Sequence, residues 1–176
     1  VEMAPIRRLR RLGMGSWLTS GGFWKIQGIP LAENEAGTVK ISFVRPNLGD
    51  WRSPDAMEPL AFAVLKGVTP ADVECELWDE KVEPVPRQLH TDLVAMTVET
   101  YTARRAYRLA AGFRAQGLKV VAGGYHPTFL PEEALQHVDA VVCGDAEAVW
   151  PQLLRDAAAG RLQPVYRQSA GSEMRG

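Results

Sequence analysis

The sequence predicts an α/β protein with a flavodoxin-like (Rossmann-like), doubly wound sheet of five parallel strands in the order 2-1-3-4-5. Short apolar runs alternate with helical segments from Thr38 onward. Right-handed crossovers between parallel strands leave this order as the simplest arrangement. The 176 residues, 46% hydrophobic and 23% charged, suit one domain with a full core.

The first three elements predict an outer part of the sheet and one covering helix. Residues 39–44 form a β-branched and aromatic run, which predicts the first strand. Residues 59–65 are almost wholly apolar and stop before Gly67, which predicts a buried helix. In residues 73–78, apolar side chains alternate with two glutamates, Glu74 and Glu76. This alternation is typical of an edge strand with one solvent-exposed face. Its predicted dry face holds Val73, Cys75 and Leu77.

The remaining elements predict the centre and far side of the sheet. Residues 93–98 are continuously apolar and predict a central strand. Residues 101–116 carry one apolar stripe and stop at Gly117, which predicts an amphipathic helix with a glycine at its C′ position. The pattern is completed by strands at 120–122 and 140–143, a short helix from Pro131, and a helix at 147–159.

The chain ends differ from this regular part. Residues 1–38 form an N-terminal extension that is basic and rich in Gly, Ser and Trp, and residues 168–176 form a tail or the start of a linker. The predicted domain lies between them, at residues 39–167. A net charge of -1 gives no argument for nucleic acid, and no apolar run is long enough to span a membrane. Cys75 and Cys143 are expected to be buried thiols in a reducing cytoplasm.

The unusual residues of the chain fall in the loops that follow the strands. Ligands of doubly wound sheets bind beyond the carboxyl ends of the strands. Four loops would meet there, at residues 47–57, 99–102, 123–128 and 144–147. Adjacent glycines at 123 and 124 allow positive φ and a close approach of a ligand to the main chain.

Several familiar sites are excluded by what these loops lack. No Gly-x-Gly-x-x-Gly follows the first strand, and no phosphate-binding Gly-x-x-x-x-Gly-Lys-Ser/Thr is present. The first strand runs into Arg45 and Pro46 rather than into the acids of a phosphoacceptor domain. No serine lies in a Gly-x-Ser-x-Gly elbow.

The loops, taken together, carry a family resemblance. The segments concerned are residues 92–100, 103–107, 123–128, 131–134 and 139–147. In this order they resemble the N-terminal cobalamin-binding domain of cobalamin-dependent radical SAM enzymes, over residues 39–167. Residues 159–167 resemble the exit of that domain toward the catalytic one.

The resemblance implies cobalamin, as methylcobalamin, with its corrin over the strand ends and its nucleotide tail in a groove beside the sheet. Glycines would keep that groove clear, while threonine hydroxyls and acidic side chains would bind amides and ribose hydroxyls. The alternative for the threonines is that they stabilise strands and helix caps rather than bind a ligand. The alternative for Glu147 is that it caps its helix. The implied cofactor-binding residues are Asn47, Leu48, Thr97, Val98, Glu99, Thr100, Tyr101, Gly123, Gly124, Tyr125, His126, Pro127, Thr128, Gly144, Asp145 and Glu147.

Two absences refine the expected function. The Asp-x-His-x-x-Gly loop of histidine-ligated carriers is missing after the first strand, so the cofactor is expected base-off without a lower histidine, and His126 is expected to line the pocket. Two separated cysteines cannot hold a [4Fe–4S] cluster, so the cluster, S-adenosylmethionine and catalysis are expected on a radical SAM domain in the same or another chain.

Two alternatives stay open at this point. One is a stand-alone corrinoid carrier or sensor, and the other is a flavodoxin-like domain with another ligand. A Cys-x-x-x-Cys-x-x-Cys segment in the reading frame after Gly176 would favour the methyltransferase module over the carrier.

Overall fold

A computed structural model of the chain describes residues 39–49, 51 and 58–168. The predicted extension over residues 1–38 lies outside the described residues. So does the predicted tail over residues 168–176, apart from Gln168.

The described residues form one sheet of six parallel strands in the order β2-β1-β3-β4-β5-β6. The α/β class and the order 2-1-3-4-5 are therefore confirmed, with one strand added beside β5. The strands are β1 Lys40–Arg45, β2 Glu74–Asp79, β3 Leu93–Thr97, β4 Lys119–Gly123, β5 Ala140–Cys143 and β6 Val165–Arg167. Because all six are parallel, their carboxyl ends lie at one edge of the sheet.

Within the ranges that the structure describes, five helices and one 3₁₀ turn connect the strands. They are α1 Leu60–Val68, the turn Thr100–Thr102, α2 Ala103–Arg114, α3 Tyr125–Phe129, α4 Pro131–Ala134 and α5 Trp150–Ala158. Helix α2 has the predicted buried stripe and is followed by Gly117 at φ +81°. Helix α3 falls in a segment that the sequence predicted to be loop.

The helices cover the two faces of the sheet, because successive strand residues point to opposite sides. On one face, Val94 and Ala122 pack with Phe113 of α2. On the other face, Phe43 stacks on Phe62 of α1 with ring centroids 5.0 Å apart, and lies 5.9 Å from Trp150 of α5. The candidate site opens on this second face.

The expectation of a buried α1 is wrong. Only Phe62 of this helix is buried, and the Leu60 side chain is 73% exposed. One side of the helix packs on the sheet, and its other apolar side chains have no covering element among the described residues. A wholly apolar helix can therefore still have one exposed side, because composition does not reveal how many neighbours a helix has.

Strand β2 lies at the sheet edge, as predicted, but its dry face is incomplete. Val73 just before it is buried, whereas Leu77 is 41% exposed. Glu76 on the expected wet face is half-buried and accepts a hydrogen bond from Ser42 at 2.6 Å. The alternation correctly predicted the strand and misassigned part of its two faces.

Strand β6 was predicted to be the exit from the domain rather than a strand. It is held by the Tyr166 hydroxyl, which donates to Asp156 Oδ2 of α5 at 3.0 Å. The Gln152 amide, followed by Tyr166 and Arg161, holds the pKa of Asp156 below its ordinary value. Three residues with one buried side chain are too short for a periodic signal.

Candidate functional site

A groove opens at the carboxyl edge of the sheet, between β3, β4 and β5 and the helices α1 and α5. It encloses about 190 Å³. We call its inward part the groove interior, formed by Phe62, Leu65, Ala95, Val121, Val142 and Trp150. We call its outer part the groove mouth, formed by Thr97, Gly123, Gly124, Gly144, Asp145 and Glu147. The groove thus combines an apolar interior with a glycine-rich, polar mouth.

Gly123 leaves space in this groove that a side chain would fill. Among the described residues, a Cβ atom on Gly123 would meet only Val142, at 3.8 Å from its Cβ and 4.0 Å from its carbonyl oxygen. Those are ordinary van der Waals contacts, so no described part of the protein requires glycine here. A ligand in the groove would require it.

Gly124 has a different reason to be glycine. Its φ is +103°, and a Cβ atom would lie 2.8 Å from the Val98 carbonyl oxygen. The fold therefore needs glycine at 124 whether or not a ligand is present. Gly144 also has positive φ, at +80°, but no described atom lies within 4 Å of its Cβ position.

Helix α3 ties two of the glycine segments together through Thr128. Its hydroxyl donates to the Gly124 carbonyl oxygen at 2.8 Å and accepts from the Gly144 amide at 3.0 Å. The predicted ligand contact of this hydroxyl stays a prediction. Its observed partners show that it also positions the two loops relative to each other.

His126 points away from the groove and is buried. Its Nε2 lies 3.1 Å from Glu133 Oε1, and its ring tilts against Tyr107. Burial, with the Glu133 carboxylate beside it, raises the pKa of Tyr107 to about 12, so the phenol is neutral and donates to Glu133. Pro127 is also buried, and its carbonyl oxygen accepts from Cys143 Sγ at 3.7 Å. A role in orienting α3 fits these contacts of His126, and its predicted ligand contact stays untested.

The exit from β1 is fixed by a buried ionic contact that the sequence did not predict. The Asn47 backbone amide donates to Glu80 Oε2 at 3.0 Å. Arg105 of α2 binds the same carboxylate through Nε and Nη2. Glu80 is buried, so this pairing compensates its charge. Glu80 and Arg105 are 25 residues apart, and no local pattern links them.

The segment after β3, residues 98–102, contains both buried and exposed residues. The Val98 amide donates to the Gly123 carbonyl oxygen at 2.8 Å, and the Thr102 hydroxyl caps the turn by accepting from the Glu99 amide at 3.1 Å. Thr100 and Tyr101 are exposed. The predicted residues of this segment are therefore divided between the protein interior and the open edge.

Exposed apolar side chains surround the carboxyl edge of the sheet. We call them the edge cluster, which consists of Leu48, Trp51, Tyr101, Tyr125 and Phe129. Each is more than half exposed. Single exposed apolar residues are common, but several on the loops of one sheet edge are typical of a binding surface.

The acidic residues at the mouth are Asp145 and Glu147, and both are exposed. Helix α5 begins at Trp150 rather than at 147, so Glu147 precedes the helix.

Within the described ranges, no group of three or more His, Cys, Asp or Glu residues is placed to hold a metal ion. No helix in the same ranges is long and apolar enough to cross a membrane.

Comparison with known proteins identifies the family. A family model for the B12 binding domain matches residues 55–154, which is more than half of the chain. The chain belongs to the B12-binding domain family. The resemblance of the loop motifs to a cobalamin-binding domain is thereby confirmed, and the groove lies in the matched part of this B12-binding domain.

Two relatives from Chlorobaculum tepidum are methyltransferases. Bacteriochlorophyllide d C-8(2)-methyltransferase is 41% identical over 108 residues, covering 61% of this chain and 24% of the relative. Bacteriochlorophyllide d C-12(1)-methyltransferase is 42% identical over 78 residues, covering 44% of this chain and 17% of the relative. The B12-binding domain described here thus spans about a quarter or less of each relative.

A solved structure, the N-terminal domain of a hypothetical protein from Thermotoga maritima, is 23% identical with a TM-score of 0.37. The matched region covers 43% of this chain and 61% of the solved chain. A TM-score this low carries no argument about the B12-binding domain.

Proposed function

We propose that this domain binds cobalamin base-off, with the nucleotide tail in the groove and without a lower histidine ligand. The observation that carries the proposal is the apolar groove of about 190 Å³ at the carboxyl edge of the sheet, whose wall lacks a side chain at Gly123. An engineered apolar cavity of about 150 Å³ accepts benzene, so a groove of this size suits an aromatic base.

The corrin would lie over the edge cluster. Its apolar faces suit Leu48, Trp51 and Tyr101. The mouth offers Thr97, Asp145 and Glu147 as partners for amide groups of the corrin and hydroxyl groups of the ribose. These residues and the other predicted cofactor-binding residues remain part of the proposal.

The histidine positions support the absence of a lower imidazole ligand. The loop after β1 contains no histidine, and His126 is buried against Glu133. His90 precedes β3, at the opposite edge of the sheet from the groove. With the benzimidazole in the groove, cobalt would then have neither an imidazole nor the base as its lower ligand.

The wider function that we propose is that of the cofactor module of a cobalamin-dependent radical SAM methyltransferase. The two relatives are methyltransferases by name, and this chain matches only a small share of their length. The S-adenosylmethionine and [4Fe–4S] sites would lie on a catalytic domain in the same or another chain. Cobalamin would supply the methyl group, and a cytoplasmic location fits the two free cysteines.

The test of binding is direct. The purified chain should take up hydroxocobalamin and retain it through desalting, as measured by absorbance. A folded protein that emerges colourless would contradict the proposal and favour a flavodoxin-like domain with another ligand.

The base-off state is tested by electron paramagnetic resonance of the cobalt(II) form. We expect no nitrogen superhyperfine splitting from an axial base. Splitting that disappears in His126→Ala would make His126 the ligand. Splitting that persists when each histidine is replaced in turn would mean that the tail is coordinated and the groove is empty.

A further inference from the structure

We infer that the groove interior selects cobamides whose lower base is dimethylbenzimidazole over those whose lower base is adenine. The inference rests on the proposed function and adds to it the chemical class of tail that the groove accepts. It follows from the polar atoms of the groove interior and from what each of them already binds.

Most of the groove interior offers a ligand only carbon atoms. Five of its side chains have no polar atom, namely Phe62, Leu65, Ala95, Val121 and Val142. The other apolar lining residues are Ala61, Met96 and Ala146. A base that enters this space meets side chains that can neither donate nor accept a normal hydrogen bond.

Trp150 is the exception, and its polar atom is already paired. Its indole Nε1 donates to the Thr69 hydroxyl at 2.9 Å. That hydroxyl in turn donates to the Leu65 carbonyl oxygen at 2.6 Å. An indole has a single N–H donor, so Trp150 presents only its ring to the groove.

The polar side chains of the site lie at its mouth. Asp145 and Glu147 are exposed, and Thr97 ends β3 at the edge of the sheet. They are placed for the corrin and the ribose, which would remain near the opening. The base, at the far end of the tail, would pass beyond them into the groove interior.

The two lower bases differ in what they lose on entering. Dimethylbenzimidazole presents methyl and ring C–H groups along its outer edge, whereas adenine presents an amino group and unpaired ring nitrogens. Those groups would give up their hydrogen bonds to water without replacement, which costs free energy. We expect the adenine cobamide to bind about 10- to 100-fold more weakly than cobalamin.

The test compares three corrinoids by equilibrium dialysis against the purified chain. They are hydroxocobalamin, its adenine-containing analogue, and cobinamide, which lacks the base. Cobalamin should bind most tightly. Equal dissociation constants for cobalamin and the adenine cobamide would overturn the inference and leave the proposed function standing. Failure of all three to bind a folded chain would remove the proposed function itself.

Leu65 supplies a matched pair of variants. Leu65→Gln places a donor and an acceptor in the groove interior and should lower the preference for cobalamin at least about fivefold. Leu65→Met keeps the interior apolar at similar volume and should leave the preference within about twofold. A preference that survives Leu65→Gln unchanged would show that the groove interior is not what discriminates the two bases.

Discussion

Replacing Gly123 with valine separates the needs of the ligand from those of the fold. The position lies at the end of β4, where Gly123 pairs with Thr97 of β3. A Cβ atom there makes only ordinary contacts with Val142. Valine also favours strand conformation, so the variant should remain folded.

The expected loss of affinity can be worked out from the groove. An aromatic group of this kind buries about 150–250 Å². At about 25 cal/mol per Å², full exclusion of the base at the lower area costs about 4 kcal/mol, or about a thousandfold in Kd. If the base is only displaced, overpacking costs about 1–3 kcal/mol. Gly123→Val should therefore raise the Kd for hydroxocobalamin between about fivefold and a thousandfold.

The assay is a titration of the purified variant with hydroxocobalamin, followed by absorbance, with circular dichroism to verify folding. Gly112→Ala is the matched control. Gly112 lies on an exposed part of α2, and no described atom lies within 4 Å of its Cβ position. This control should bind like the parent. A folded Gly123→Val protein with parental Kd would refute the location of the tail groove.

Three further predictions concern stability. Gly124→Ala should lower the free energy of unfolding of the ligand-free chain by about 1–3 kcal/mol, because its Cβ would collide with the Val98 carbonyl; parental stability in a denaturant titration would contradict that collision. Thr69→Val leaves the buried Trp150 N–H unpaired and should lower the free energy of unfolding by about 1–3 kcal/mol. Thr69→Ser keeps the hydroxyl and should retain most of the parental stability. Equal unfolding midpoints of the two variants would argue against the hydrogen bond. The folded pKa of Asp156 lies below its unfolded value, so its carboxylate stabilises the fold above about pH 4, and this contribution is lost as pH falls through the folded pKa. Asp156→Asn should flatten that acid part of a stability profile, and an unchanged profile would mean that Asp156 does not contribute to it.

The regular part of the fold could be predicted because it repeats. The continuous apolar run of β3 indicates a strand buried on both faces, and the stripe of α2 specifies which side of the helix is buried. Alternating strands and helices then limit the topology. Features held by contacts that no periodic pattern links gave no such signal. Strand β6 pairs with β5, and Tyr166 anchors it to Asp156. The β1 exit is fixed by Glu80, which binds both the Asn47 backbone amide and Arg105.

The candidate site could be predicted in the same partial way. Glycines and acids after the strands stand out in a sequence, and Gly123, Gly144 and Asp145 do lie at the groove mouth. Residues such as Leu65 and Trp150 of the groove interior were missed. A buried apolar side chain beside a cavity has the same sequence signature as one in a filled core, so only the three-dimensional packing distinguishes them.

The sparse burial of α1 has a thermodynamic consequence for ligand exchange. This helix forms one wall of the groove, yet Phe62 is its only buried side chain. Segments with few buried contacts open locally at a lower free-energy cost than the whole domain, so we expect α1 to open before the sheet. A tail lying in the groove would add contacts to those that α1 makes within the described part of the chain. By linkage, the free energy that α1 contributes to binding the tail equals the stability that the bound tail adds to α1. Slower amide hydrogen exchange in residues 60–68 would therefore measure how much of the groove is occupied.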